Sequence, residues 1–365
     1  MVARRVISSV IQRQVRYVTP VPVGAADGLV ASVYAQVADE MKIVVPPVLL
    51  HSPAPPVLAA YWMLMREPLM ATGAVGRLAK EAVAAAVSVA NICPYCVDMH
   101  SMGMYDLSTE HDAEAIVSDR VHDIVDPPTR EVAAWARTAH EAGARQPFPG
   151  AHAPELVGVA VAFHYLSRMV NVFLPNFLLP PRLSPGVRRR FKHGLSRVLA
   201  PTLRRPYAPG RSLPLLPSAP LPAEAGWALG NPGVEAAVAR SYAAFEAAGA
   251  RALPPAVRDL VCRRLDGWRG EETGLSRQWC EDLIVALPAA DRAAGRLALL
   301  TALASYQVDE EVVAEFRRHR PDGRALVEAV AWASFAAARQ VGVRQSPPAP
   351  TRGRSLGEAD AYDPV

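Results

Sequence analysis

The residues best suited to chemistry form one short cluster in the first third of the chain. Cys93 and Cys96 are separated by Pro94 and Tyr95, and His100 follows four residues after Cys96. On a helix, spacings of three and four residues place both thiols and the imidazole on a single face. A dithiol with this spacing can close into a disulfide, and a helix N-terminus favours the thiolate. The imidazole can accept the thiol proton or stabilise the thiolate.

A fourth candidate, Glu81, precedes Cys93 by twelve residues. It falls in an alanine-rich segment, 76–90, that is predicted to be helical. An antiparallel return of the next helix would bring the carboxylate to His100, where it could orient the ring or pass protons through water. Alone, Glu81 would be interpreted as a solvated surface acid. With the cysteine pair and His100 it completes a nucleophile, a resolving thiol and a proton relay.

The elements that must position these residues are predicted to be helices throughout. Apolar residues recur at helical spacing along both halves of the chain, and the alternation typical of strands is nowhere sustained. Asn91 is predicted to cap the helix that carries the cysteine pair, with Pro94 in its first turn, where the missing amide donor costs little. The predicted fold class is all-α.

Three other interpretations of the cysteine pair remain open. A Cys-x-x-Cys with one histidine supplies only three zinc ligands, whereas a structural zinc site usually has four. The motif has the spacing found in thioredoxin-like folds, but those require a preceding strand, and here a helical segment precedes it. Finally, both thiols could simply pack in the core, with His100 as a buried, hydrogen-bonded histidine. The motif gives no reason to expect a cofactor or a metal.

The composition argues against several classes of partner. The chain has 365 residues, a net charge of +4 and 7% aromatic residues, and its densest basic run is Arg188-Arg189-Arg190. A nucleic-acid interface needs clustered bases interleaved with aromatic residues, so we expect no such partner. No stretch reaches the roughly 18–20 consecutive apolar residues of a membrane-spanning helix. The N-terminal segment lacks the features of a secretory signal, and we expect a cytoplasmic protein with no membrane partner.

Two similar halves joined by a proline-rich linker are predicted. Residues 77–81 resemble residues 255–259, but the second half has Glu271, Gly274 and Gln278 at the spacings where the first has Cys93, Cys96 and His100. The second copy is therefore predicted to keep the fold without the chemistry. The predicted boundaries are residues 1–200 for the first domain, 201–225 for the linker, 226–344 for the second copy and 345–365 for a disordered tail.

Glu81, the run Asn91-Ile92-Cys93-Pro94-Tyr95-Cys96 and His100 together resemble the signature of the alkylhydroperoxidase D-like family, which is related to the carboxymuconolactone decarboxylases. The resemblance is strongest over residues 48–173. It implies an all-helical bundle, here in two tandem copies, with self-association into a homo-oligomer. The decarboxylase branch lacks the cysteine pair, so the pair favours the redox branch.

The resemblance also implies an activity, hydroperoxide reduction through a dithiol–disulfide cycle. Cys96 would attack the peroxide, Cys93 would resolve the product, and Glu81 with His100 would deprotonate Cys96. The partners would be a hydroperoxide substrate and an external thiol or dithiol reductant. The alternatives are a general disulfide reductase and a non-catalytic helical interaction protein.

The remaining candidates are predicted to be structural. Cys262 and Cys280 fall outside the motif and are predicted to pack. A core or interface role is predicted for His164, and no chemistry is assigned to Arg168 or Asn171.

Overall fold

The computed structural model describes residues 14–179 and 182–346. Within these ranges the regular structure consists of helices, with no strand, so the predicted all-α class is confirmed. Most of the predicted disordered tail lies outside the described residues. The last helix ends at Gln345, which was predicted to be the first residue of that tail, and Gln345 is buried. The Gln345 side chain donates to the carbonyl of Ala139 and accepts from the indole of Trp135.

The described residues form fifteen α-helices. They are α1 (Gly28–Met41), α2 (Pro46–Leu49), α3 (Pro55–Met65), α4 (Arg77–Ala90), α5 (Pro94–Tyr105), α6 (Glu110–Val117), α7 (Pro127–Thr138), α8 (Ala153–Phe173), α9 (Pro185–Arg204), α10 (Pro232–Ala252), α11 (Pro255–Asp266), α12 (Gln278–Ile284), α13 (Arg292–Ala304), α14 (Glu310–His319) and α15 (Gly323–Gln345). A π-helical turn, Arg66–Met70, follows α3. Short 3-10 turns occur at Val23–Ala25, Val121–Asp123, Gly150–His152, Leu213–Leu215, Ala223–Ala228, Ala289–Asp291 and Ser305–Gln307.

The long apolar helix α8 lies at the centre of the structure. In the first half α4 packs against α5, α7 and α8, and α9 covers α5. In the second half α15 packs against α10 and α13, and it also runs along α8. Because α10 packs on α3 as well, both halves contribute to one continuous hydrophobic core. The internal duplication stays a prediction.

The burial of α8 explains its hydrophobicity. The segment Gly150–Phe173 has the length and mean hydropathy of a membrane span, but its apolar window is entirely buried inside the protein. A helix that is apolar on all sides is also expected at the centre of a large soluble core. Its hydropathy is therefore weak support for a membrane location.

The proline-rich segment, predicted to be a linker over residues 201–225, packs against the first half of the chain. Its first four residues belong to α9, which continues through Pro201 to Arg204. Farther along, the buried carboxylate of Glu67 accepts hydrogen bonds from the Gly210 amide at 2.7 Å and the Ser212 hydroxyl at 2.6 Å. These bonds fasten the segment to the first half. Proline prevents a continuous helix, but it does not prevent tight packing.

Close contact between α10 and α15 depends on Gly249. A Cβ atom added there would lie 2.2 Å from Trp332 Cδ1. We predict that Gly249→Ala lowers the free energy of unfolding by about 1–3 kcal/mol, because the indole must move within a packed interface. Gly194→Ala on α9 is the matched control, because a Cβ atom added there meets no neighbouring group within 4 Å. It should raise the free energy of unfolding by up to about 1 kcal/mol through helix propensity. Urea denaturation of both variants measures the difference, and equal effects would contradict the packing argument.

Candidate active site

A tight turn at the end of α4 places the cysteine pair. Helix α4 ends at Ala90, Ile92 has a left-handed backbone with φ of 50°, and α5 begins at Pro94. Pro94 is thus the first helical residue, as predicted. Asn91, in contrast, is not the cap of α5, because Cys93 occupies the N-cap position without a capping side chain. The prediction for Asn91 was wrong because its side chain is used by partners on other helices, described below.

The two thiols are adjacent and buried. Cys93 and Cys96 are both free, with their Sγ atoms 2.9 Å apart, and only 1% and 3% of their surfaces are exposed. The Cys93 amide donates to the Ser88 carbonyl at 3.0 Å, which ties the start of α5 to the end of α4. The hydroxyls of Ser88 and Ser167 lie beside Cys96 and lower its pKa. The pair is therefore close enough to close into a disulfide with a small movement.

Burial, rather than the helix N-terminus, dominates the acidity of Cys96. Removal from water and the neighbouring Cys93 thiol together raise the pKa of Cys96 well above its ordinary value, despite the two serine hydroxyls. Burial thus opposes the thiolate that a helix N-terminus favours. Ionisation of Cys96 consequently requires a base.

Glu81 and His100 are in direct contact. Glu81 Oε2 lies 2.7 Å from His100 Nδ1, and Arg77 Nε donates to Glu81 Oε1 at 2.7 Å. Glu81 is 1% exposed, so burial alone would raise its pKa, but Arg77 and His100 outweigh burial and lower the pKa to about 2. Glu81 is therefore a carboxylate at neutral pH. Its ionised form stabilises the fold above pH 4.5, and this stabilisation is lost as the pH falls toward about 2.

The carboxylate determines which nitrogen of His100 can act as a base. Since an ionised carboxylate only accepts, His100 Nδ1 must carry the proton that it shares with Glu81. In the neutral ring Nε2 then has the free lone pair. The ring is held edge-on against Phe163, with the centroids 4.4 Å apart. Among the described residues no hydrogen bond joins His100 to either thiol, although Cys96 lies one helical turn away.

The structure thus brings the four predicted residues into two contacting pairs along the packed helices α4 and α5, Cys93 with Cys96 and Glu81 with His100. It also shows contributions that the sequence analysis missed. Arg77 fixes the charge of Glu81, and its position four residues earlier on the same helix was the available signal. Within the described residues, no group of three or more metal-ligating side chains comes together.

A second set of residues, on α8, holds the turn before the dithiol. Arg168 Nη1 donates to Asn91 Oδ1 at 2.5 Å, and Asn171 Nδ2 donates to the Asn91 carbonyl at 3.0 Å. Asn91 Nδ2 lies 2.9 Å from Nδ1 of His164, which is buried as predicted. No pattern in the sequence links Asn91 to a segment some 75 residues later. Cys262 and Cys280 lie on α11 and α12, outside this cluster.

Removing the Arg77 cation should change the acidity of Glu81. We predict that Arg77→Gln raises the Glu81 pKa by about 1 to 3 pH units, because burial is then opposed by His100 alone. Carboxyl-carbon NMR titration measures this pKa. Arg137→Gln is the matched control, since Arg137 pairs with Asp119 away from the site. An unchanged Glu81 pKa in Arg77→Gln would contradict the assignment.

Comparison with known proteins shows the family of the chain. Residues 56–137, which contain all four predicted site residues, match the model of the carboxymuconolactone decarboxylase family. A protein named alkyl hydroperoxide reductase Rv2159c, from Mycobacterium tuberculosis, is 37% identical over 328 residues, covering 90% of this chain and 94% of that protein. The predicted family and fold are confirmed. The chain therefore belongs to the carboxymuconolactone decarboxylase, or alkylhydroperoxidase D-like, family.

Proposed function

We propose that the protein is a thiol-dependent hydroperoxide reductase that cycles Cys93 and Cys96 between dithiol and disulfide. Its family and the name of its Mycobacterium tuberculosis relative support a peroxidase-type enzyme in general. The observation that carries the specific proposal is the paired geometry, with two free thiols 2.9 Å apart next to a carboxylate–imidazole pair at 2.7 Å. This arrangement supplies a nucleophile, a resolving thiol and a base within about two turns at the start of α5.

In the first step His100 Nε2 removes the Cys96 proton, directly or through one water. Glu81 stabilises the resulting imidazolium, because its carboxylate is ionised and bonded to Nδ1. Arg77 prevents Glu81 from taking the proton itself. A base is needed here because the buried Cys96 thiol would otherwise stay protonated at neutral pH.

The redox steps follow from the chemistry of thiolates. The Cys96 thiolate attacks the distal peroxide oxygen, the O–O bond breaks, and Cys96 becomes a sulfenic acid while the alkoxide takes a proton from His100 and leaves as an alcohol. The Cys93 thiol then attacks the Cys96 sulfur and the S–O bond breaks. The hydroxide takes the Cys93 proton and leaves as water, and the disulfide forms. Two thiols of an external reductant restore Cys93 and Cys96 and are themselves oxidised to a disulfide.

Burial of the dithiol favours a small oxidant over a protein disulfide. With Cys93 and Cys96 only 1% and 3% exposed, a hydroperoxide can reach them through a small opening of the surrounding side chains, whereas a folded disulfide substrate needs an exposed sulfur. This supports peroxide reduction over general disulfide reductase activity. The non-catalytic alternative predicts a reduced protein that consumes no peroxide.

Serine substitutions test the separate roles of the thiols. We predict that Cys96→Ser abolishes consumption of hydrogen peroxide and cumene hydroperoxide by the reduced protein. Cys93→Ser should retain a single attack, trapped as a dimedone adduct on Cys96, but should not turn over. Cys262→Ser and Cys280→Ser, which remove free thiols outside the site, should keep full activity. Wild-type protein that consumes no peroxide in a single-turnover assay would overturn the proposed function.

The rate of the first step should depend on pH through Cys96 and its base. Because the Cys96 pKa is raised, the single-turnover rate should increase from pH 6 to pH 9. In His100→Gln the rate at pH 7 should fall about 10²- to 10⁴-fold, and the deficit should shrink at higher pH, where solvent can ionise the thiol. His193→Gln, at a half-exposed histidine paired with Glu110, is the control. A deficit in His100→Gln that is independent of pH would contradict the base role.

A further inference from the structure

A small polar cavity lies where the two halves of the chain meet. Its walls come from the end of α4 and the turn after it, from His140 just after α7, from α8, and from two segments of the second half, after α11 and around the end of α13. It has about 50 Å³ of space for the centres of water-sized molecules, enough for several waters or one small ligand. The residues that line it and carry the argument are Asn91, His140, His164, Arg168, Glu272 and Thr273.

Arg168 places a buried positive charge on this cavity. It is 5% exposed, and its guanidinium donates to neutral oxygens, the Ala302 carbonyl at 2.8 Å, the His164 carbonyl at 2.6 Å and Asn91 Oδ1 at 2.5 Å. No carboxylate of the described residues lies within ion-pair distance of it. Burial lowers its pKa to about 9, so it remains charged at neutral pH. Buried charges are normally paired, and an unpaired one is costly to the fold.

Polar atoms without partners concentrate around the same cavity. His140 Nδ1, His164 Nε2 and Thr273 Oγ1 are buried and make no hydrogen bond within the described part of the chain. The tautomer of His164 follows from Asn91, because Asn91 Nδ2 can only donate and lies 2.9 Å from His164 Nδ1. Nδ1 is therefore the acceptor in the neutral ring. Nε2 carries the hydrogen and is left as an unused buried donor.

The charge balance selects the class of ligand. Burial and the nearby Arg168 lower the pKa of His140 to about 4 and that of His164 well below its ordinary value, so both rings are neutral at pH 7. Of the cavity residues Asn91, His140, His164, Arg168 and Thr273, Arg168 is then the charged one, with a single positive charge. The acidic side chains of Glu271 and Glu272 also line the cavity and oppose a dianion such as hydrogen phosphate. Because Nε and Nη1 of Arg168 already bond to protein oxygens, Nη2 is the atom left to meet a monoanion, whose second oxygen can accept from His164 Nε2.

We propose that this cavity binds a carboxylate group, held by the Arg168 guanidinium and by the unpartnered groups of His164 and Thr273. The carboxylate belongs either to a free small acid such as acetate or to the end of a longer aliphatic acid. The site adjoins Ile92, directly before the dithiol, but the proposal does not depend on the thiol chemistry and concerns binding alone.

Isothermal titration calorimetry of the full-length reduced protein tests the proposal at constant ionic strength. The probes are sodium acetate, sodium hexanoate and sodium phosphate at pH 7. We expect saturable binding of one carboxylate per chain, with phosphate weaker than acetate. If hexanoate binds at least as tightly as acetate, the ligand is the end of a longer aliphatic acid. If hexanoate binds more weakly than acetate, the ligand is a free small acid. Absence of saturable carboxylate binding, or tighter binding of phosphate, would overturn the proposal.

Two variants assign the binding to the cavity. Arg168→Gln should weaken acetate binding at least about tenfold by removing the charge. The matched control is Arg240→Gln, which removes an arginine that also bonds only to carbonyl oxygens, those of Leu216 and Ala236, but lies outside the cavity. Equal binding in Arg168→Gln and wild type would overturn the assignment.

Because Arg168 also holds Asn91, its loss could disturb folding, and an exposed residue provides an independent test. Glu272→Gln leaves every bond of Arg168 in place and removes a repelling charge from the cavity lining. It should tighten acetate binding several-fold at low salt, and the gain should shrink as salt is raised. Unchanged affinity in Glu272→Gln at low salt would contradict the location.

Discussion

The turn at Asn91 and Ile92 is the constraint on which the arrangement of the site depends. It reverses the chain between α4 and α5, so that Glu81 on one helix meets His100 on the next. Ile92 adopts a left-handed backbone that is costly for a β-branched residue and persists only where neighbours hold it. The neighbours here are Arg168 and Asn171 of α8, which bond the side chain and the carbonyl of Asn91. The positions of both thiols relative to Glu81 and His100 follow from this turn.

Burial has opposite consequences for the two reactive groups. For Glu81, the Arg77 cation and His100 outweigh burial, so the carboxylate stays ionised and can fix the tautomer of the ring. For Cys96 burial dominates, and together with the neighbouring Cys93 thiol it raises the pKa. The proposed role of His100 as a base rests on this difference between the two pKa shifts. A buried nucleophile that is protonated at rest is also protected from indiscriminate oxidation.

The second half of the chain contributes to the first half even though it lacks the cysteine motif. Ala302 accepts a bond from Arg168, and the Ser305 hydroxyl accepts from Asn171, so the residues that hold the Asn91 turn are themselves held from α13 and the 3-10 turn after it. Helix α15 also runs along α8 and buries it from the other side. The second half, although it lacks the cysteine pair, thus completes the support of the site.

The sequence by itself determined the helical class and predicted that Cys93, Cys96 and His100 share one face, because helical periodicity is a local property. It also predicted the contact of Glu81 with His100, since neighbouring helices joined by a short turn must run antiparallel. The tertiary structure decided the role of Asn91, the packing of the proline-rich segment and the acidity of Cys96. Each of these depends on burial or on partners far along the chain, such as Arg168, whose proximity no local spacing encodes.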